Sequence, residues 1–330
     1  MFEKEIHRRV FLQFVGIVLC AVFLCCPWLL MAQQARILSI ATGGTGGVWY
    51  VMGGGMANIL TKNLPNIKVT AEVTSAGIDN GKLLDANKVD LALMVADNAY
   101  EAYMGIEKFN KKIPIRTLLA LYPNIFQAVT LEGSGINSVK DFRGKRVSLG
   151  APMSGTELKG IKVLEAYGLD YKRDVKNDRL SVSESVSALK DGKIEAFYWV
   201  GGIPTGAILD LAATPGIKIK ILDLTDGLPK LKEKYGPFYF SSLIPKGTYP
   251  GIDYDVHTIA LGSMLCCLEK MDENLAYQIT KTILENEKEL SLVHKEAKAI
   301  NLRNAVIGSS IPYHPGAIRY YKEKGVTIQQ

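Results

Sequence analysis

The chain has 330 residues, is 48% hydrophobic and 22% charged, and carries a formal net charge of +6. That length suits two domains or one large one, and the apolar share is ample for a buried core. Lysine and arginine are scattered rather than clustered, which argues against a nucleic-acid-binding surface, so no nucleic-acid partner is expected.

The N-terminal segment reads as an export signal rather than as part of the fold. His7, Arg8 and Arg9 form a positive start, an almost unbroken apolar run covers 11–26, and Pro27 breaks it. Cleavage is expected after Ala32, with Ala35 as the alternative, leaving a signal peptide over 1–32 and a periplasmic mature protein. Arg8-Arg9-Val10-Phe11-Leu12 also has the form of a twin-arginine motif, while the apolar core suits the general secretory route equally. The run approaches the ~20 residues needed to span a bilayer, so an uncleaved anchor is the alternative reading. Beyond it, Cys266 and Cys267 are neighbours in an apolar run, a poor geometry for pairing with each other, and read as core residues.

From Arg36 onward the pattern alternates. A strand over 36–41 runs into Thr42-Gly43-Gly44-Thr45-Gly46-Gly47 and then a helix over 48–62, where Val48, Met52, Met56 and Ile59 recur at helical spacing. A strand over 67–73, a helix at 78–87, a strand at 89–95 and a helix starting near Asp97 follow, which implies a parallel sheet covered by helices. The pattern then recurs: strand 145–150, a turn through Ser154-Gly155-Thr156, helix 156–168, a strand near 178–182, helix 184–191 and strand 194–200. Leu84-Asp85-Ala86-Asn87-Lys88-Val89-Asp90 and Leu189-Lys190-Asp191-Gly192-Lys193-Ile194-Glu195 mark the same helix end, turn and strand start in each half.

Apolar runs at 118–131 and 238–245 are the expected crossings between halves. They place lobe I at 33–128 and 242–330, and lobe II at 129–241. Helices at 272–290, 292–301 and 315–324 complete lobe I.

Ligands of open parallel sheets sit outside the carboxyl ends of the strands. There Thr42, Gly44, Thr45, Gly46 and Tyr50 offer hydroxyls and backbone N–H groups at a helix N-terminus, a site for an anionic group. The structural alternative is a turn packed on its own helix. Trp49 stands where a dinucleotide fingerprint needs its third glycine, and no phosphate-loop Gly-Lys-Ser/Thr occurs. Ser75 and Asn80 are further candidates, with helix capping as the competing role. Asp97 would either meet a ligand ammonium or cap its helix.

In the second half Ser154, Gly155 and Thr156 mirror the first turn. Trp199, Gly201 and Gly202 would give an apolar wall and close backbone approach, and Gln127 lies at the first crossing. His257 and His294 have no metal spacing, and no metal or cofactor is expected. His314 reads as structural.

The string Thr42-Gly43-Gly44-Thr45-Gly46-Gly47-Val48-Trp49-Tyr50 resembles the N-terminal signature of the TAXI family, the solute receptors of tripartite ATP-independent periplasmic (TRAP) transporters. Thr74-Ser75-Ala76-Gly77-Ile78-Asp79-Asn80, Leu121-Tyr122-Pro123, Trp199-Val200-Gly201-Gly202-Ile203-Pro204-Thr205 and Tyr313-His314-Pro315-Gly316 extend the resemblance over the mature chain. It implies an α/β, two-lobed type II periplasmic-binding-protein fold, each lobe a mostly parallel sheet flanked by helices, joined by a two-crossover hinge. It also implies a non-catalytic receptor that gives a small organic acid or glutamate-like amino acid to a TRAP permease. Val95-Ala96 stands where relatives often carry Gln-Ser before the aspartate, a departure that bears on which solute fits. Two other functions remain open: an exported two-lobed α/β enzyme acting on a small carboxylate, and a ligand-sensing receptor for a membrane kinase. The enzyme lacks a Gly-x-Ser-x-Gly elbow.

Overall fold

The computed structural model describes residues 35–328. The expected export signal over 1–32 lies outside the described residues. Among those described, strands β1 (Arg36–Ala41), β2 (Ile67–Glu72), β3 (Leu91–Val95), β4 (Ile115–Ala120) and β12 (Ser263–Leu268) build one sheet, in the order β2-β1-β3-β12-β4. A second sheet has the order β10-β11-β5-β8-β6-β7. It holds β5 (Asn124–Leu131), β6 (Arg146–Ser148), β7 (Lys176–Asp178), β8 (Ala196–Gly201), β10 (Tyr239–Ile244) and β11 (Val256–Leu261), with β9 (Ile219–Ile221) paired to β5.

The two halves repeat one topology. The order β2-β1-β3-β12 in the first sheet matches β7-β6-β8-β5 in the second. Strands β1 and β3 are parallel, as are β6 and β8, and in each sheet the next strand, β12 or β5, lies antiparallel. Helices α1 (Val48–Asn63), α2 (Gly77–Asp85) and α3 (Ala96–Met104) follow β1, β2 and β3. Helices α4 (Gly155–Ala166), α5 (Val182–Lys190) and α6 (Gly206–Ala212) follow β6, β7 and β8, and α7 (Leu228–Tyr235) precedes β10. The fold is thus the expected two-sheet α/β architecture with flanking helices. Its strand directions are more mixed than the mostly parallel sheets expected, because the strands that carry the chain between halves enter each sheet antiparallel.

The chain leaves the first sheet after Ala120 and joins the second at Asn124. Pro123, without an N–H, cannot extend a ladder and separates the two strands. The return lies at Gly262, between β11 and β12. The run 238–245 is not a crossing: it is β10, paired with β11 from Tyr239↔Leu261 to Ile244↔Val256. The changes of sheet at 121–123 and at 262 therefore differ from the lobe boundaries at 128/129 and 241/242. Both apolar runs owe their composition to burial within a sheet.

Local chemistry explains the element ends. Helix α1 buries Val48, Trp49, Met52, Met56, Ile59 and Leu60 along one stripe and stops at Leu64, which is extended ahead of Pro65. Strand β3 is buried throughout, as its unbroken apolar sequence requires. The expected helix at 272–290 breaks at Asn286 into α8 (Glu273–Glu285) and α9 (Glu287–Ser291), and 292–301 contains only a 3-10 turn, Lys295–Ala299. Cys266 and Cys267 are fully buried on β12 and unbonded, and burial pushes both thiols up. His314 caps the final helix α10 (Pro315–Glu323): its Nδ1 accepts from Gly316 N–H at 3.1 Å, and Nε2 lies 3.1 Å from the Glu269 carbonyl.

Candidate functional site

A cavity of about 530 Å³ lies between the two sheets, outside the carboxyl ends of their parallel strands. Residues 43–49, 73–77, Asp79 and Val95 line it from the first half. Asn124, Ala151, 154–156, Lys159, 181–184 and 199–201 line it from the second. The N-terminal ends of α1, α2, α4 and α5 all reach its wall. Each brings partial positive charge and amides without intrahelical partners, so the cavity suits a ligand with negative charge.

Those helix ends are not equivalent. Gly47 and Ala76, at the N-caps of α1 and α2, give no side-chain cap. Ser154 caps α4 by accepting from Glu157 N–H at 3.0 Å, and Ser181 caps α5 in a capping box with Glu184. Uncapped amides are therefore concentrated on the first half.

The halves touch at the cavity rim. Gly77 has φ +44, and a Cβ there would lie 2.6 Å from the Gly155 nitrogen. Only glycine meets both the left-handed backbone and that approach. Trp199 closes another side, its ring 3.1 Å from where a Cβ on Gly47 would stand, with its Nε1 donating to Thr205 Oγ1 at 3.1 Å.

Of the residues expected from sequence, Gly44, Thr45, Gly46, Ser75, Ser154, Gly155, Thr156, Trp199 and Gly201 line the cavity. The others lie behind its wall. Thr42 is fully buried, and its hydroxyl donates to the Glu72 carbonyl at 2.7 Å. Asn80 Nδ2 ties the Thr42 and Leu93 carbonyls together at 2.9 and 2.8 Å, while its Oδ1 accepts from Thr74. Gln127 accepts from the Tyr249 hydroxyl at 2.6 Å and donates to Thr205 at 3.3 Å, which sets the partner of Trp199. Gly202 packs between Tyr122, Glu296 and Val48. Tyr50 is half-buried on α1, outside the lining.

Asp97 is not the N-cap of its helix, although its Oδ1 accepts from the first-turn Asn98 N–H at 2.8 Å. The N-cap of α3 is Val95, and Asp97, in the first turn, enters a buried ionic cluster that joins the halves. Lys159 Nζ lies 2.7 Å from Asp97 Oδ1 and donates to Asn98 Oδ1 at 2.7 Å. Lys162 Nζ lies 3.4 Å from Asp97 Oδ2 and 2.8 Å from Glu101 Oε1, and the Tyr239 hydroxyl donates to Asp97 at 2.8 Å. Burial pushes the Asp97 carboxyl up, but the Lys159 and Lys162 ammoniums outweigh it and hold the group at about 2. Burial pushes Lys159 down, opposed by Asp97; for Lys162 the pull of Asp97 and Glu101 exceeds burial and raises it.

Two lining residues escaped the sequence reading. Trp49 Nε1 and Asn124 Nδ2 are buried donors with no hydrogen-bond partner. Trp49 fits the apolar stripe of α1 and Asn124 sits inside an apolar run, so neither stood out. A buried donor left without a partner costs about 1–3 kcal/mol. Among the described residues, no group of three or more His, Cys, Asp or Glu side chains is placed to hold a metal.

The model of the NMT1-like family matches residues 40–325, nearly all of the described chain. Among solved structures, a protein of Bordetella bronchiseptica RB50 is similar at 16% identity, over 88% of this chain and 83% of that one, with a TM-score of 0.52. The periplasmic aliphatic sulphonate binding protein SsuA from Escherichia coli is similar at 14% identity, over 87% and 83% of the two chains, with a TM-score of 0.48. An ancestral arginine-binding protein bound to arginine is similar at 15% identity, over 80% and 99%, with a TM-score of 0.48.

Proposed function

This chain belongs to the NMT1-like family, and we propose that it is an exported solute receptor. It captures a small organic acid or acidic amino acid between its halves and gives it to a TRAP-type permease in the membrane. The observation that carries this reading is the cavity of about 530 Å³ at the strand ends, walled by helix N-termini from both halves. That volume suits a small molecule, and the helix ends favour an anionic one. Lys159, the ammonium in the lining, is already paired with Asp97, so the dipoles and neutral donors carry the recognition. Asp79 and Glu184 also border the cavity, which favours a solute bearing an ammonium beside its carboxylate over a multiply charged anion. The TRAP assignment is supported by the TAXI-like strings along the chain.

The test has two stages. Thermal unfolding is followed with L-glutamate, succinate, methanesulfonate and inorganic phosphate. A true ligand at 100 times its Kd stabilises by about 2.7 kcal/mol. Uptake of that ligand by host spheroplasts should then be restored by adding the purified protein and abolished by collapsing the ion gradient with an ionophore. Absence of a shift with every probe refutes the receptor reading, and a shift with methanesulfonate or phosphate alone refutes the carboxylate solute. Uptake that survives the ionophore refutes the TRAP part alone.

A further inference from the structure

Apart from the crossings at 121–123 and Gly262, side chains tie the halves together behind the cavity. The loop 202–205 follows β8 of the second sheet, and the stretch 294–296 follows α9, which packs on α1 beside the first. His294 Nε2 donates to the Pro204 carbonyl at 3.1 Å, and its Nδ1 accepts from Glu296 N–H at 3.2 Å, so the ring is neutral. Glu296 Oε1 accepts from Ile203 N–H at 3.1 Å. Gly202 fills the space beside them: a Cβ there would lie 3.2 Å from Glu296 Cγ and 2.9 Å from the Tyr122 ring.

The loop held in this way supports the cavity wall. Thr205 is fully buried, and its hydroxyl donates to the Gly202 carbonyl at 2.8 Å while accepting from Trp199 Nε1 at 3.1 Å and Gln127 Nε2 at 3.3 Å. Two residues on, Ala207 N–H donates to the Gly46 carbonyl at 3.4 Å. Trp199 and Gly46 both line the cavity, so a displaced loop would disturb the two together.

We propose that His294 and Glu296 are positioning residues: from the first half they clamp the loop 202–205 and so set the Trp199 wall against the solute. Neither lines the cavity; both act through Thr205. The link to the solute rests on the receptor reading, whereas the clamp can be tested without ligand. The clamp also titrates. Glu296 is half-buried, and burial raises its carboxyl above the ordinary 4.5, against the opposing pull of the Ile203 N–H and Lys295. The other titratable groups facing it are His294 and the phenols of Tyr122 and Tyr249, which burial keeps neutral. A raised carboxyl keeps its proton more firmly in the clamp than in water. Its contribution is therefore complete below about 4.5 and is lost as pH rises through the raised value. Burial lowers His294, so its contribution has the opposite sign, being lost as pH falls through a value under 6.5. A variant at Glu296 separates the two.

Glu296→Ala takes the acceptor from Ile203 N–H, and Glu296→Gln keeps an acceptor without the charge. In a Trp49→Phe background the emission of the mature chain comes from Trp199, and acrylamide quenching of the ligand-free protein reads its exposure. Quenching should rise in Glu296→Ala. With Glu296 present it should rise from about pH 5 to about pH 7, and Glu296→Gln should lose that rise. Calorimetric titration with whichever of L-glutamate, succinate, methanesulfonate and phosphate binds wild type should show about tenfold weaker binding for Glu296→Ala. Glu296→Gln should bind as wild type does at about pH 5 and more tightly at about pH 7. Unchanged quenching in a folded Glu296→Ala overturns the clamp, and if that variant does not fold, an identical pH profile in Glu296→Gln and its parent overturns it. Raised quenching with unchanged affinity overturns the link to the solute. If no probe binds wild type, the receptor reading fails, and quenching still decides the clamp.

Discussion

Substitution of Asp97 by asparagine removes one negative charge from a buried set of two ammoniums, Lys159 and Lys162, and two carboxylates, Asp97 and Glu101. The side-chain shape survives, while the cluster is left with one uncompensated positive charge. At 2.7 Å the Asp97–Lys159 attraction is about 6 kcal/mol gross for an effective dielectric of about 20, most of it cancelled by the hydration both groups have given up. Intact, the pair is therefore close to neutral for stability. Broken, it leaves a buried charge unmet, a change that typically costs about 3–5 kcal/mol. Because α3 and α4 belong to opposite halves, the variant has two escapes, unfolding or separation of the halves with rehydration of the lysines. Urea unfolding of Asp97→Asn should show a loss of that size, and small-angle scattering should show a larger radius of gyration than wild type. The double variant Asp97→Leu/Lys159→Met, which leaves Lys162 with Glu101, should recover most of the loss. A single variant destabilised by less than about 1 kcal/mol, with an unchanged radius, would refute the argument.

Three other outcomes follow from the same geometry. Gly77→Ala would put a methyl against the Gly155 backbone in a left-handed conformation, so ligand affinity should fall at least about tenfold on titration, with secondary structure intact by circular dichroism. Thr42→Val should cost about 0.5–1.5 kcal/mol in urea unfolding, as the Glu72 carbonyl loses the hydroxyl donor but keeps the Thr42 N–H, and should leave ligand affinity unchanged. The Asp97 carboxyl is held at about 2 in the fold, below its ordinary 3.8. Its contribution, about 2 kcal/mol, is complete above about pH 4 and is lost as pH falls through about 2; acid unfolding of wild type against Asp97→Asn should differ by that steepness in this window.

The sequence made the glycine-rich turn, the repeated strand-turn-helix units and the second-half turn at Ser154-Gly155-Thr156 legible, because period and turn chemistry are local properties. Thr45, Ser75 and Trp199 could be placed at the cavity for that reason. Side-chain direction is not local. Thr42 and Thr45 stand three residues apart in one turn, yet one hydroxyl faces the Glu72 carbonyl and the other residue faces the cavity. Asp97 and Asn80 are polar residues at strand ends, as ligand contacts would be, but their partners come from elements far along the chain. Lys159 lies on the helix that follows the second-half turn, and only the packing of α4 on α3 turns it inward. The crossing at Gly262 was hidden because an apolar strand and an apolar crossing have the same composition.

The repeat also gives the two halves different tasks. In the second half Ser154 and Ser181 already hold first-turn amides of their helices, whereas in the first half Gly47 and Ala76 leave theirs without a side-chain cap. A carboxylate that reaches the open cleft would find its unclaimed donors mainly in the first half, and the second half would add contacts on closing. This order has a consequence for variants measured in a wedged background. With Gly77→Ala holding the halves apart, adding Thr45→Val should weaken the residual binding a further several-fold, since Thr45 borders the first-half donors. Adding Thr156→Val to the same background should change little, although in the unwedged protein it should weaken binding as Thr45→Val does. Equal effects of the two substitutions in the wedged background, read by calorimetric titration with the carboxylate that binds wild type, would show that both halves engage the solute together and would remove the asymmetry of capping as its cause.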